Sequence, residues 1–137
     1  MLEFKENIDN VEEFNYLYDA VGWGSYDKEI SSKALKNNIY SVSLYDNNQI
    51  VGYGRIIGDG YIFLYIQDIM VSPEHQGKHI GTEIMNKLLD KIEEIKKENP
   101  DILVYLGASL GKEKFYEKFG FIKREDYGLG PGMILKG

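Results

Sequence analysis

The chain has 137 residues, 43% apolar and 28% charged, with a net charge of −6 and no cysteine. That length suits one domain with its own core, and the missing cysteines exclude disulfides, thiolate metal sites and a cysteine nucleophile. The acidic balance argues against a nucleic-acid binder, which needs a basic face for phosphates, and no apolar run reaches the ~18 residues needed to span a membrane.

The opening segment MLEFKENIDN lacks the basic flank and apolar stretch of a secretory signal, so a cytoplasmic location is expected. No linker, repeat or low-complexity tract interrupts residues 1–137, which read as one continuous domain. LEFKE suits a short first strand. Val11, Phe14, Leu17, Tyr18 and Val21 then recur at helical spacing between Asn10 and Val21. Glycines in VGWGSY break that helix, and Asp27 can cap a second one reaching about Asn37. IYSVSLYD and QIVGYGRIIG, joined by DNN, predict a β-hairpin. A GDG turn leads into YIFLYIQDIMV, an apolar strand long enough for a central place in a sheet.

Helical period returns after Gly77. Ile80, Ile84, Leu88 and Ile92 form one stripe, widened by Met85, Leu89 and Ile95, until ENP stops the helix. ILVYLGA reads as a buried strand, KEKFYEKF as a short helix ended by Gly120, and FIKRE and GMILK as terminal strands. The order β-α-α-β-β-β-α-β-α-β-β, with hairpins first and a right-handed crossover through the long helix, predicts a three-layer α-β-α sandwich on a mixed, mostly antiparallel sheet.

The junction VSPEHQGKHIGTEIM is the segment most suggestive of a ligand. The first N–H groups of a helix have no partner within it, and the macrodipole puts partial positive charge there. Gly77 and Gly81 would let a ligand approach the amides of Ile80, Gly81 and Thr82, and Lys78 adds a formal charge, which suits a phosphate or pyrophosphate. Neither G-x-G-x-x-G nor G-x-x-x-x-G-K-[ST] occurs there, and a plain structural turn also favours glycine.

This junction resembles the acetyl-CoA-binding signature Q/R-x-x-G-x-G/A of the GNAT superfamily of N-acetyltransferases, which follows a strand ending in V-x-P. Gln76 fills the first position and Gly81 the last, while His79 replaces the middle glycine. Histidine tolerates a positive φ better than most residues, so the turn is expected to survive. FYEKFGF, Phe115 to Phe121, resembles the segment after the superfamily's fifth strand, whose tyrosine lies beside the cofactor sulfur. GYGRIIGDG and GLGPGM are similar to those of small bacterial members, and the likeness spans nearly the whole chain.

The resemblance implies direct transfer of an acetyl group from acetyl-CoA to a primary amine, without an acyl-enzyme. It implies the acyl-CoA N-acyltransferase fold, and oxyanion and pantetheine contacts from Ile69, Met70 and Val71. It also implies a diphosphate held over Gln76, Gly77, Lys78, His79, Ile80, Gly81 and Thr82, and an acceptor pocket lined by Trp23 and Tyr26. The chain agrees with a direct route: no G-x-S-x-G elbow is present, and the only histidines are His75 and His79.

An alkyl amine of pKa near ~10.4 must lose a proton to attack. Asp68, inside the apolar stretch IQDIMV, is the candidate base, because burial would raise its pKa. A structural role, capping an amide or pairing with Arg55, is equally open. The stretch is similar to that of plant-type serotonin acetyltransferases, which carry an aspartate at the matching place. Tyr65 and Gln67 are expected on the other face, where they could shape the acceptor site. Tyr116 is the candidate acid for the leaving thiolate, with packing on the sheet as the alternative. His75 and His79 lack a third ligand, so no metal is expected.

The expected activity is acetylation of a small-molecule amine, with no nucleic-acid or membrane partner and a homodimer possible. The alternatives are a CoA-binding sensor with little turnover and an acetyltransferase acting on protein N-termini or lysines.

Overall fold

A computed structural model describes residues 2–136. They fall into two compact units, one ending at Tyr105 and the other beginning at Leu106.

The first unit carries the sheet, apart from Leu106 at the end of its last strand. β1 (Leu2–Glu6), β2 (Tyr40–Asp46), β3 (Gln49–Gly58), β4 (Phe63–Val71) and β5 (Leu103–Leu106) lie in the order β1-β2-β3-β4-β5, a mixed sheet flanked by helices. Each of the first four strands pairs antiparallel with its neighbour. The β2–β3 turn places Asn47 and Asn48 at φ values of 50° and 68°. A type I′ two-residue hairpin turn requires positive φ at both positions, and asparagine is among the few residues that accept it.

The helices α1 (Val11–Ala20) and α2 (Lys28–Leu35) are both capped by side chains: Asn10 accepts from the Glu13 amide and Asp27 from the Glu29 amide. Phe14 and Leu17 of α1 and Leu35 of α2 pack with Tyr45, Ile50, Tyr53 and Met70 on one face of the sheet. The helix α3 (Ile80–Glu98) buries Ile80, Ile84, Met85, Leu88 and Ile92. It lies against the opposite face so closely that a Cβ on Gly54 would stand 2.7 Å from Ile84 and 3.1 Å from Leu88. The three layers expected from the order of elements are thus present.

β4 and β5 are shorter than their sequence stretches: β4 starts at Phe63 rather than Tyr61, and β5 ends at Leu106. Asp59 explains the first, because its carboxylate accepts from the amides of Tyr61, Ile62 and Phe63 and bends those residues into a turn.

The second unit holds α4 (Glu113–Glu117) and a 3-10 turn at Arg124–Tyr127. The strands expected at FIKRE and GMILK are not formed among the described residues. Gly128 sits at φ 81°, and Leu129 N–H and Arg124 Nη1 close this loop by donating to Arg124 O and Gly130 O respectively. A segment with Gly128, Gly130, Pro131 and Gly132 gains little from extended pairing.

Candidate active site

β4 loses its regular geometry at one residue. The register against β3 runs Tyr53↔Met70 and then Arg55↔Gln67, a bulge on β4, and Asp68 within it takes φ 56°. Aspartate tolerates this left-handed conformation where most side chains do not.

The extra residue resets the alternation of the strand. Ile69 meets the Gly54 side of the sheet, where α3 lies, whereas Met70 joins the α1 cluster. Asp68 therefore turns to the face of α1 and α2, the face shared by cross-strand partners Arg55 and Gln67. The expectation that Gln67 and Tyr65 point away from Asp68 fails for this reason: alternation by two does not survive a bulge.

On that face Asp68 is held from two sides. Arg55 Nε donates to Oδ2 at 2.7 Å, and the Tyr18 hydroxyl donates to Oδ1 at 2.5 Å. The Asp68 and Arg55 side chains retain only 8% and 14% of their exposure. Arg55 also donates from Nη1 to Asn38 Oδ1, while Asn38 Nδ2, Ser41 and Tyr53 all donate to Asp9 Oδ1. Asn38 thereby faces Arg55 with its acceptor and Asp9 with its donors, so each buried polar group has a partner. Burial and then the bond to Asp68 push the Tyr18 phenol far above its ordinary range.

Tyr18 links the carboxylate to the expected acceptor wall. Its ring meets Trp23 edge-on at 5.4 Å and Tyr26 at 5.9 Å, and both of those rings are largely exposed. The loop carrying them is tied down: the amides of Trp23 and Gly24 donate to Tyr18 O, Ser25 donates to Asp19, and Asn15 donates to Tyr26 O. Tyr65 instead stacks on Tyr105 at 5.4 Å.

Beyond β4 the chain passes through a 3-10 turn at Pro73–His75 into α3. Gly77 has φ 83° with open space around it, and His79 is the N-cap of α3 with φ 64°, the conformation that the missing glycine would have supplied. The His79 side chain makes no capping bond. The first amide bonded within the helix is Glu83 to His79 O, so the amides of Ile80, Gly81 and Thr82 face out of the helix start, with Lys78 exposed nearby. Gln76 is turned back, its side-chain amide donating to Val71 O. His75 bridges Ser72 Oγ and Asp46 Oδ2, tying the root of the loop to the end of β2, and holds the Asp46 carboxyl below its usual range. These features suit a phosphorylated ligand: open amides, a cation and no competing carboxylate cap.

Tyr116 lies in the second unit, on α4, half-buried between Phe115 at 5.0 Å and Phe121 at 6.5 Å, both edge-on. Burial raises its phenol above the ordinary value. Among the described residues no group of three or more His, Cys, Asp and Glu gathers to hold a metal ion, and no helix is long and apolar enough to cross a membrane.

The sequence reading missed Tyr18 and Asn38 as parts of this site. Tyr18 counts as one more apolar position in the α1 stripe, and nothing in its spacing shows a hydroxyl aimed at a strand 50 residues away. The only available hint was the buried aspartate itself, which demands partners.

Comparison with known proteins bears on the family and the fold. A family model described as an acetyltransferase (GNAT) domain matches residues 11–133. An uncharacterized N-acetyltransferase, ycf52, of Pyropia yezoensis is 30% identical over 129 residues, covering 91% of this chain and 71% of that protein. Among solved structures, a "probable acetyltransferase" of meticillin-resistant Staphylococcus aureus is 31% identical with a TM-score of 0.88, covering 100% of both chains. A GNAT-family acetyltransferase of Streptococcus pneumoniae is 28% identical with a TM-score of 0.82, over 100% of this chain and 98% of that one. Enzymes of this fold use acetyl-CoA. The chain belongs to the GNAT family of acetyltransferases and is an acyltransferase enzyme.

Proposed function

We propose that the chain moves an acetyl group from acetyl-CoA directly to a primary amine of a small molecule. The observation that carries this reading is the β4 bulge: it delivers a carboxylate, Asp68, just before a strand end that runs into an uncapped helix start. In this reading the diphosphate of the coenzyme lies over the amides of Ile80, Gly81 and Thr82, within reach of Gln76, Gly77, Lys78 and His79. The pantetheine arm runs along Ile69, Met70 and Val71, whose N–H groups also polarise the thioester oxygen.

Asp68 is the terminal acceptor for the amine proton, and Trp23, Tyr26 and Gln67 bound the space for the acceptor body, with Tyr65 further along β4. Tyr116 returns a proton to the thiolate. A thiol has pKa near ~8.5 and a phenol near ~10, so that transfer is uphill by about 2 kcal/mol. Burial raises the Tyr116 phenol above its ordinary value, which adds to that cost, so the transfer depends on the thiolate forming beside the hydroxyl.

The test is thiol release from acetyl-CoA over a panel of primary amines. Turnover with at least one simple amine supports the reading, whereas CoA binding without release with any amine would make the chain a coenzyme sensor. Turnover confined to peptide amines would move the acceptor to proteins. Asp68→Asn is expected to lower kcat by about 10²-fold or more. The loss should be greatest at low pH, where more of the amine is charged, and a pH-independent loss would assign Asp68 a structural part.

A further inference from the structure

We propose that Tyr18 is the catalytic residue that meets the acceptor nitrogen, and that it passes the amine proton to Asp68. The inference rests on the N-acetyltransfer reading and goes beyond it by naming the group that touches the nucleophile. The Asp68 carboxylate is enclosed. Its side chain keeps 8% of its exposure, Arg55 occupies Oδ2 and the Tyr18 hydroxyl occupies Oδ1. With 8% of the side chain exposed and a donor on each oxygen, little of this carboxylate is open to an amine.

Arg55 is fixed from behind by Asn38, which is itself bonded to Asp9, so the guanidinium side is closed. Tyr18 is different. Its ring stands against Trp23 and Tyr26, which are 47% and 62% exposed, and its oxygen keeps a lone pair after donating to Asp68. The hydroxyl is thus the link between an enclosed carboxylate and the aromatic rings that open to solvent. Burial and the carboxylate together keep this phenol protonated, so it serves as a relay and not as a phenolate base.

The transfer balances. The amine enters in its neutral form, its ammonium proton already lost to solvent. As the nitrogen lone pair forms the new C–N bond, an N–H bond of that nitrogen breaks and an O–H bond forms on Tyr18. The original Tyr18 O–H breaks in the same event and a bond forms to Asp68 Oδ1. The electron pair left on nitrogen completes the amide as the thiolate departs. Tyr18 ends as it began, with one proton.

The experiment uses the amine that gives the fastest thiol release in the panel, with wild type, Tyr18→Phe, Asp68→Asn and the double variant. Tyr18→Phe is expected to lower kcat about 100-fold or more, as Asp68→Asn does, while CoA affinity by calorimetry stays within twofold. The double variant should lose no more than the worse single one, because the two groups act as a unit. Retention of kcat within about threefold in Tyr18→Phe, or losses that multiply in the double variant, would overturn the relay. A second measurement needs no variant. The rate of wild type in mixtures of light and heavy water should bow downward, reporting two protons in flight, and a straight line contradicts the proposal. If wild type binds CoA but releases thiol with no amine, the N-acetyltransfer reading fails first and Tyr18 loses its role with it.

Discussion

His79 and Asp68 each put a side chain where the backbone asks for a glycine-like conformation, at φ 64° and 56°. For most L-residues this geometry costs about 1–2 kcal/mol, with Asn, Asp and His better tolerated. His79→Gly should therefore leave thermal stability nearly unchanged, since relief of strain offsets the added freedom of the unfolded chain. His79→Val should lower stability by about 1–2 kcal/mol, read by denaturant unfolding; equal stability of the two variants would show that the N-cap does not hold this conformation. Tyr116→Phe removes a hydroxyl without changing the ring packing against Phe115 and Phe121. It is expected to depress kcat with little change in CoA affinity, and an unchanged kcat would remove the acid from Tyr116. At this scale the sequence was only partly readable. The strained turn at His79 follows from a motif with one glycine missing, and the Arg55 partner of Asp68 was one of the expected alternatives, whereas its Tyr18 partner depends on a bulge that no local pattern announces.

The elements were more legible, because their signals repeat. α1 and α2 begin at Asn10 and Asp27, α3 follows a stripe of four apolar residues spaced by four, and the hairpin turns on paired asparagines. Ambiguity entered where a stretch was apolar without periodicity. Tyr61 and Ile62 look like strand but are folded into a turn by Asp59, and GMILK looks like strand but follows Pro131 between glycines. The close approach of α3 to the sheet is testable. A methyl group on Gly54 would press on Ile84, Ile69 and Leu88 at 2.7, 2.8 and 3.1 Å. Gly54→Ala is thus expected to destabilise the fold by about 1–3 kcal/mol, while Leu88→Ala, at a fully buried position, should cost about 2–5 kcal/mol. A Gly54→Ala protein as stable as wild type would mean that α3 sits farther from the sheet.

Across the molecule, tyrosine hydroxyls bonded to carboxylates recur: Tyr18 on Asp68, Tyr40 on Glu6, Tyr45 on Glu13 and Tyr53 on Asp9. In each, burial is the leading cause that pushes the phenol far above its ordinary value, with the carboxylate adding to it. The folded state keeps these protons while the unfolded chain releases them near pH ~10, so the stabilising contribution is whole below that value and shrinks as pH rises further. Melting temperature should fall above about pH 10, and Tyr45→Phe should make the fall shallower; a melting temperature flat across that range contradicts the shared protons. An acidic chain with a GNAT fold was foreseeable from its two motifs and the order of its elements. The acceptor was not, because the walls proposed for it come from α1, the loop after it and a bulged strand, far apart in sequence.

The central claim is that the start of α3 grips the diphosphate of coenzyme A. Calorimetric titration of the intact chain with CoA, and separately with pantetheine, which has the same arm and no diphosphate, tests it most directly. CoA should bind well below millimolar concentration, and pantetheine should bind at least about tenfold more weakly, a difference of roughly 1.4 kcal/mol or more. No association with CoA at millimolar levels, or equal affinity for the two, would contradict the claim.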